Sequence, residues 1–272
     1  MTRRPTVAAL LAASGLPALE ARALLARELG VPRERLLAHP EATVDPARAR
    51  SFSALTGRRL AGEPLAYLLG GKEFYGRWFA VSAAVLVPRP ETELLVELAL
   101  RHLAGIERPR VLELGTGSGC IAITLALERP DAQITATDRS HEALTIARAN
   151  AATLGASALL FVHGNWFEPL PTRAQFDLIV SNPPYVAADD PHLAALSHEP
   201  ALALTSGGNG LAGLRAIIEG GRTHLGAGGM LAVEHGYDQA AAVRALLVEH
   251  GWSGTQTYRD AAGHERATTA LR

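Results

Sequence analysis

Between residues 111 and 233 short apolar runs alternate with helical patterns, and this alternation restricts the fold more than any other feature. The runs are Val111–Leu114, Ile134–Thr137, Leu159–Val162, Phe176–Val180 and Met230–Val233. Helical periodicity falls between them at Ile121–Leu127, Ala143–Leu154 and Leu211–Leu225. Strands that are apolar without alternation are buried on both faces, and helical crossovers between them require a mainly parallel sheet with helices on both sides. Asp238–His250 adds a helix, and Thr255–Tyr258 with Ala267–Leu271 reads as a terminal hairpin. In such a sheet ligands bind beyond the carboxyl ends of the strands. The residues that end each run are therefore the first candidates for chemistry.

Four of these ends carry distinctive residues. Phe176–Val180 runs into Ser181-Asn182-Pro183-Pro184-Tyr185. The prolines cannot donate to a ladder and hold a rigid turn, which presents the Asn182 amide beside the Tyr185 ring. An amide oxygen and a backbone carbonyl can each accept one N–H of a planar –NH2 group. The run Val111–Leu114 leads into Gly115-Thr116-Gly117-Ser118-Gly119 and then a helix, a backbone bare enough for close approach by a nucleotide-like ligand. A dehydrogenase fingerprint would place its third glycine one position later, where Cys120 stands. Asp138 ends the second run, where a carboxylate can accept hydrogen bonds from ribose hydroxyls or else cap the following helix. After the third run, Gly164-Asn165-Trp166-Phe167 offers an aromatic surface on which adenine could rest, or simply a core tryptophan.

Upstream, residues 1–72 read mostly as helices. Leu10 and Leu11 mark one, Pro17 opens another that stops at Gly30, and Asp45-Pro46 starts a third through Leu55. Met1-Thr2-Arg3-Arg4-Pro5 precedes an Ala/Leu-rich segment that has the outline of a signal peptide. Without a clear cleavage site or disulfide chemistry after it, the first amphipathic helix is the expectation. Aromatics around Gly76 suggest a short hairpin linking two domains, followed by Pro88-Arg89-Pro90-Glu91-Thr92-Glu93 and an amphipathic helix. A net charge of −1 gives no electrostatic basis for tight nonspecific nucleic-acid binding. The single Cys120 precludes an internal disulfide and suits a reducing cytoplasm. No apolar run approaches the ~20 residues of a membrane span.

Taken together, Glu63-Pro64, Glu73-Phe74-Tyr75-Gly76, Pro88–Glu93, the glycine loop, Asn182–Tyr185, Glu199-Pro200-Ala201-Leu202 and Glu234-His235-Gly236 resemble the HemK/PrmC family, the peptide chain release factor glutamine methyltransferases. The resemblance spans nearly the whole chain. It implies an α/β fold: a seven-stranded Rossmann-like methyltransferase domain at 88–272, a hairpin linker at 73–87 and a small helical substrate-docking domain at 1–72. It implies S-adenosyl-L-methionine as cofactor, no metal, and methylation of the glutamine in the Gly-Gly-Gln motif of class 1 release factors in the cytoplasm. Carried onto this sequence, Gly115, Thr116, Gly117, Ser118, Gly119, Asp138, Trp166 and Asn182 contact the cofactor. Asn182, Pro183, Pro184 and Tyr185 contact the substrate, with Asn182 catalytic. Asn165 departs from the aspartate common in the family. Its oxygen can accept from an adenine amino group, whereas its NH2 cannot. The alternative reading is an amino-group methyltransferase acting on nucleic-acid bases, which would be expected to add a basic surface that the charge balance does not suggest.

Overall fold

A computed structural model describes residues 4–172 and 174–272, so Met1–Arg3, where the signal-like segment begins, lie outside the described residues. The chain divides between Lys72 and Glu73 into two compact units.

The first unit is helical: α1 (Val7–Ala13), α2 (Ala18–Leu29), α3 (Arg33–Ala38), α4 (Pro46–Leu60) and α5 (Leu65–Leu69). Local chemistry sets its boundaries. The Thr6 hydroxyl accepts from Ala9 N, the Asp45 carboxylate accepts from Ala47 N with Pro46 in the first turn, and Gly30 ends α2 at φ 67°. Leu24, Leu25, Phe52 and Leu68 form its core, each almost wholly buried. Neither α3 nor α5 stands out in the sequence, because one or two turns are too short to show a helical period.

A two-stranded hairpin follows, β1 (Gly71–Phe74) and β2 (Arg77–Ala80). It starts two residues before the expected linker. Tyr75 and Gly76 form its turn with φ of 51° and 72°, a primed geometry that matches strand twist. Tyr75 tolerates the left-handed region because its N–H donates to Glu93 Oε1 at 2.8 Å, while Gly76 N–H donates to Glu73 Oε1 at 2.6 Å.

The second unit is built on a seven-stranded sheet in the order β5-β4-β3-β6-β7-β9-β8. Its strands are β3 (Arg110–Leu114), β4 (Gln133–Asp138), β5 (Leu160–His163), β6 (Phe176–Ser181), β7 (Leu225–Glu234), β8 (Ser253–Arg259) and β9 (Glu265–Leu271). Strands β3 to β7 are parallel, and β9 runs antiparallel to β7 and β8. The helices are α6 (Glu93–Leu103), α7 (Cys120–Glu128), α8 (His141–Leu154), α9 (Ala201–Leu204), α10 (Ala212–His224) and α11 (Ala240–Glu249).

Alternation along the strands divides the core. Val111, Leu178, Val180 and Ala232 pack with α6 and α7, while Leu112, Ile179, Leu231 and Val233 pack with α10 and α11. Both faces are covered, hence the unbroken apolar runs. Strand β7 begins at Leu225, five residues ahead of its apolar run. Gly226, Gly228 and Gly229 conceal that start, and the pairing with β6 shifts register between Phe176 and Leu178.

Candidate active site

The chain leaves β3 to build β4 and β5 on one side, then returns to build β6 on the other. Neighbouring strands β3 and β6 therefore send their following loops apart, and a crevice opens at their carboxyl ends. A cavity of about 360 Å³ lies there, within the range of small-ligand sites. Gly115, Thr116, Gly117, Ser118, Asp138, Trp166, Asn182 and Pro184 line it. Gly119, Pro183 and Tyr185 do not. Gly119 caps α7 behind the loop, Pro183 packs beside Gly213, and Tyr185 directs its hydroxyl to Glu234.

The glycine loop is glycine for a backbone reason. Gly115, Gly117 and Gly119 adopt φ of 73°, 54° and 82°, the left-handed region that L side chains rarely enter. A Cβ on Gly117 would meet no protein atom within 4 Å, so a side chain there would project into the cavity. The loop is fastened at each end. Gly115 and Thr116 N–H groups donate to Thr137 O at 2.9 Å, and the buried Asn150 donates to Ser118 O at 2.9 Å while bridging to Ala80 on β2.

Asp138 serves the loop as well as the cavity. Its Oδ2 accepts from Gly117 N at 2.9 Å and its Oδ1 from Ser140 N at 2.9 Å. The cap of α8 is Ser140, whose hydroxyl accepts from Ala143 N, so Asp138 is not the helix cap. Burial raises its pKa above the ordinary carboxylate value, against the pull of the backbone N–H groups that favour the ion.

Trp166 sits at φ 47°, and a Cβ built on Gly115 or Gly213 would lie 3.6 or 3.4 Å from its ring. The ring thus fills the space that two glycines leave, joining the core on one side and the cavity on the other. Asn165 also lines the cavity, and its Nδ2 donates to Glu168 Oε1 at 3.2 Å. With the NH2 so engaged, the amide oxygen remains as the acceptor.

Two carboxyl groups absent from the sequence-derived site are central to it. Glu113, only 1% exposed, accepts from Thr116 Oγ1 at 2.6 Å and from Ala122 N at 3.1 Å. Burial pushes its pKa up to about 8. Glu234, also 1% exposed, accepts from Thr92 Oγ1 at 2.7 Å and from Tyr185 Oη at 3.1 Å. Burial pushes it up to about 7. Asn182 Nδ2 donates to Thr92 Oγ1 at 3.1 Å, which joins the strand-end amide to this carboxyl. In the sequence Glu234 is marked by its place at the end of an apolar run and within the Glu234-His235-Gly236 stretch, but its role is not, since buried acids need partners that only the fold brings near.

Pro200, Leu202 and Ala203 also line the cavity. This segment is anchored by the buried Glu199, which accepts from Val87 N at 3.0 Å and pairs with the Arg89 guanidinium. Among the described residues no helix is long and apolar enough to cross a membrane, and no group of His, Cys, Asp or Glu side chains is placed to hold a metal ion.

Comparison with known proteins accords with this geometry. Residues 91–211 match the family model described as Methyltransferase small domain, and residues 5–70 match PrmC N-terminal domain. The release factor glutamine methyltransferase of Bordetella pertussis is 52% identical over 94% of this chain and 96% of its own length. That of Neisseria gonorrhoeae is 49% identical over 94% and 93%. Among solved structures, a methyltransferase from Pyrococcus furiosus covers 80% of this chain and 98% of its own at a TM-score of 0.53 and 19% identity. The T. Thermophilus 16S rRNA methyltransferase RsmC, solved with AdoMet and guanosine, covers 74% of this chain and 49% of its own at 0.52 and 21%. These two likenesses concern the fold. From the near-full-length identity to the bacterial enzymes it follows that this chain belongs to the release factor glutamine methyltransferase family.

Proposed function

We propose that this enzyme transfers a methyl group from S-adenosyl-L-methionine to the side-chain amide nitrogen of glutamine in the Gly-Gly-Gln motif of class 1 release factors, a cytoplasmic step in translation termination. The observation that carries this reading is Asn182 beside a left-handed glycine loop, in one cavity at the sheet's switch point. The residues suit the cofactor. The loop from Gly115 to Gly119 would admit its backbone-hugging part, Asp138 would accept from ribose, Trp166 and the Asn165 oxygen would receive adenine, and the buried Glu113 carboxyl suits a cationic ligand. When bound, the cofactor supplies an electrophilic methyl group on a sulfonium.

An amide nitrogen is a poor nucleophile because its lone pair is delocalised into the carbonyl. The protein's task is therefore orientation and fixed dipoles. Asn182 Oδ1 accepts one N–H of the substrate amide and a neighbouring backbone carbonyl accepts the other, so the nitrogen lone pair would be aimed at the methyl carbon. Tyr185 supports the turn from below through Glu234. The single negative net charge gives no support to a nucleic-acid base as substrate.

Two results are expected. Asp138→Ala should weaken cofactor binding in calorimetry by roughly 1.5–3 kcal/mol, the scale of hydrogen bonds to a charged group. Unchanged affinity would reduce Asp138 to a fastener of the glycine loop. The helical unit has its own core, and every cavity residue lies beyond it. Removing residues 1–70 should thus preserve cofactor binding yet lower kcat/KM on intact release factor at least ~10-fold, the equivalent of about 1.4 kcal/mol of docking energy. A folded truncation at full rate would refute a docking role.

A further inference from the structure

The hydrogen bonds around Asn182 form a chain with a definite direction. Asn182 lies at the end of β6, Thr92 in the single turn before α6, Glu234 at the end of β7, and Tyr185 three residues after Asn182. Thr92 and Glu234 are 2% and 1% exposed, so solvent offers them no alternative partners. A threonine hydroxyl has one proton. Thr92 lies 2.7 Å from the Glu234 carboxylate, which when ionised only accepts, so that proton is committed to Glu234. Toward Asn182, 3.1 Å away, Thr92 can then only accept, and the group it meets must be the NH2. The Asn182 oxygen is the arm left for the cavity.

We propose that Glu234, acting through Thr92, is the positioning residue that fixes which way round the Asn182 amide stands, so that its oxygen and not its NH2 receives the substrate amide. This rests on the role given to Asn182 above. The same accounting makes the orientation depend on protonation. Once Glu234 carries a proton it can donate to Thr92, the Thr92 hydroxyl can turn to donate to the Asn182 oxygen, and the amide is free to flip. A flipped amide offers NH2 to an NH2, which cannot hold the substrate.

The groups around Glu234 keep this titration within reach of ordinary conditions. Arg266 on β9 draws it toward the ion, yet its guanidinium is bonded to Asp260 and His235 O rather than to Glu234. Glu91 before α6 opposes ionisation, and Tyr185 adds a donor. Cys120 on α7 faces it as a neutral thiol, with its pKa driven up to about 12 by burial. His235, just beyond the end of β7, has its pKa lowered by burial against the opposing bond to Gly236 O, and its other ring nitrogen meets Thr268 Oγ1.

The test is single-turnover methyl transfer to release factor between pH 5.5 and 8.5, with cofactor affinity followed by calorimetry. Thr92→Val should lower the rate roughly 10- to 100-fold, the cost of a misaligned reacting group, with cofactor affinity unchanged. Thr92→Ser should restore it. In an Asn182→Ala background, Thr92→Val should cause no further loss. The wild-type rate should fall below about pH 7, where Glu234 gains its proton, and Glu234→Gln should abolish that acid limb even if Thr92→Val does not fold. A near wild-type rate for Thr92→Val while Asn182→Ala is inactive overturns this inference and leaves Asn182 standing. An undiminished effect of Thr92→Val in the Asn182→Ala background, or an acid limb that persists in Glu234→Gln, overturns it too. A fully active Asn182→Ala instead removes the reading on which it rests.

Discussion

Asn182→Ala is expected to fold, to bind cofactor, and to lose about 100- to 1,000-fold in the rate of methyl transfer, the usual cost of removing one positioned dipole. The loss comes from the acceptor. Alanine leaves one N–H of the substrate amide unheld, and the nitrogen lone pair then samples orientations away from the methyl carbon. Stability should change little, because Pro183 and Pro184 set the turn without help from the side chain. Asn182→Asp should fail as well. It keeps an acceptor but adds a charge, and it has no N–H for Thr92, which is already donating to Glu234. Rapid-quench measurement of labelled methyl on release factor, with the glutamine located by mass spectrometry, decides the matter. Near wild-type transfer by Asn182→Ala would remove the central claim.

A second large effect is expected at a residue far from the sequence motifs. Gly210→Ala should destabilise the second unit by roughly 2–4 kcal/mol, combining left-handed strain with overpacking. Gly210 has φ 76°, and a Cβ there would stand 2.1 Å from Tyr185 O and 2.8 Å from its carbonyl carbon. Those are backbone atoms held in place, since Tyr185 O accepts from Gln239 Nε2 at 2.9 Å. Relief requires the segment after Asn182-Pro183-Pro184 to move. Activity should therefore fall along with the urea midpoint, because the shift reaches Tyr185 and its bond to Glu234. Gly207→Ala is a matched control, a left-handed glycine whose added Cβ meets nothing within 4 Å. It should lose only the strain contribution and keep most of its activity. Equal unfolding midpoints for the two variants would show that the close approach to Tyr185 does not matter.

Much of the architecture was legible from short-range chemistry. Runs such as Val111–Leu114 and Phe176–Val180 announce strands buried on both faces, and parallel order follows from the helices between them. Helix ends at Gly30 and Asp45 depend only on neighbouring residues. Gly115, Asp138, Trp166 and Asn182 are likewise assigned to one crevice by sequence alone, since strand ends of a parallel sheet converge. Tertiary structure alone decided what those residues lean on. Glu234 meets Thr92 across 142 positions of chain, Glu199 meets Val87 across 112, and Asn150 meets Ala80 across 70. Sequence marks Glu234 and Glu199 only as parts of short motifs and Asn150 as a polar residue within a helix, with no sign of these partners. Only burial, which withdraws water and obliges every donor and acceptor to find a partner, turns them into the supports of Thr92, the cavity wall and the glycine loop.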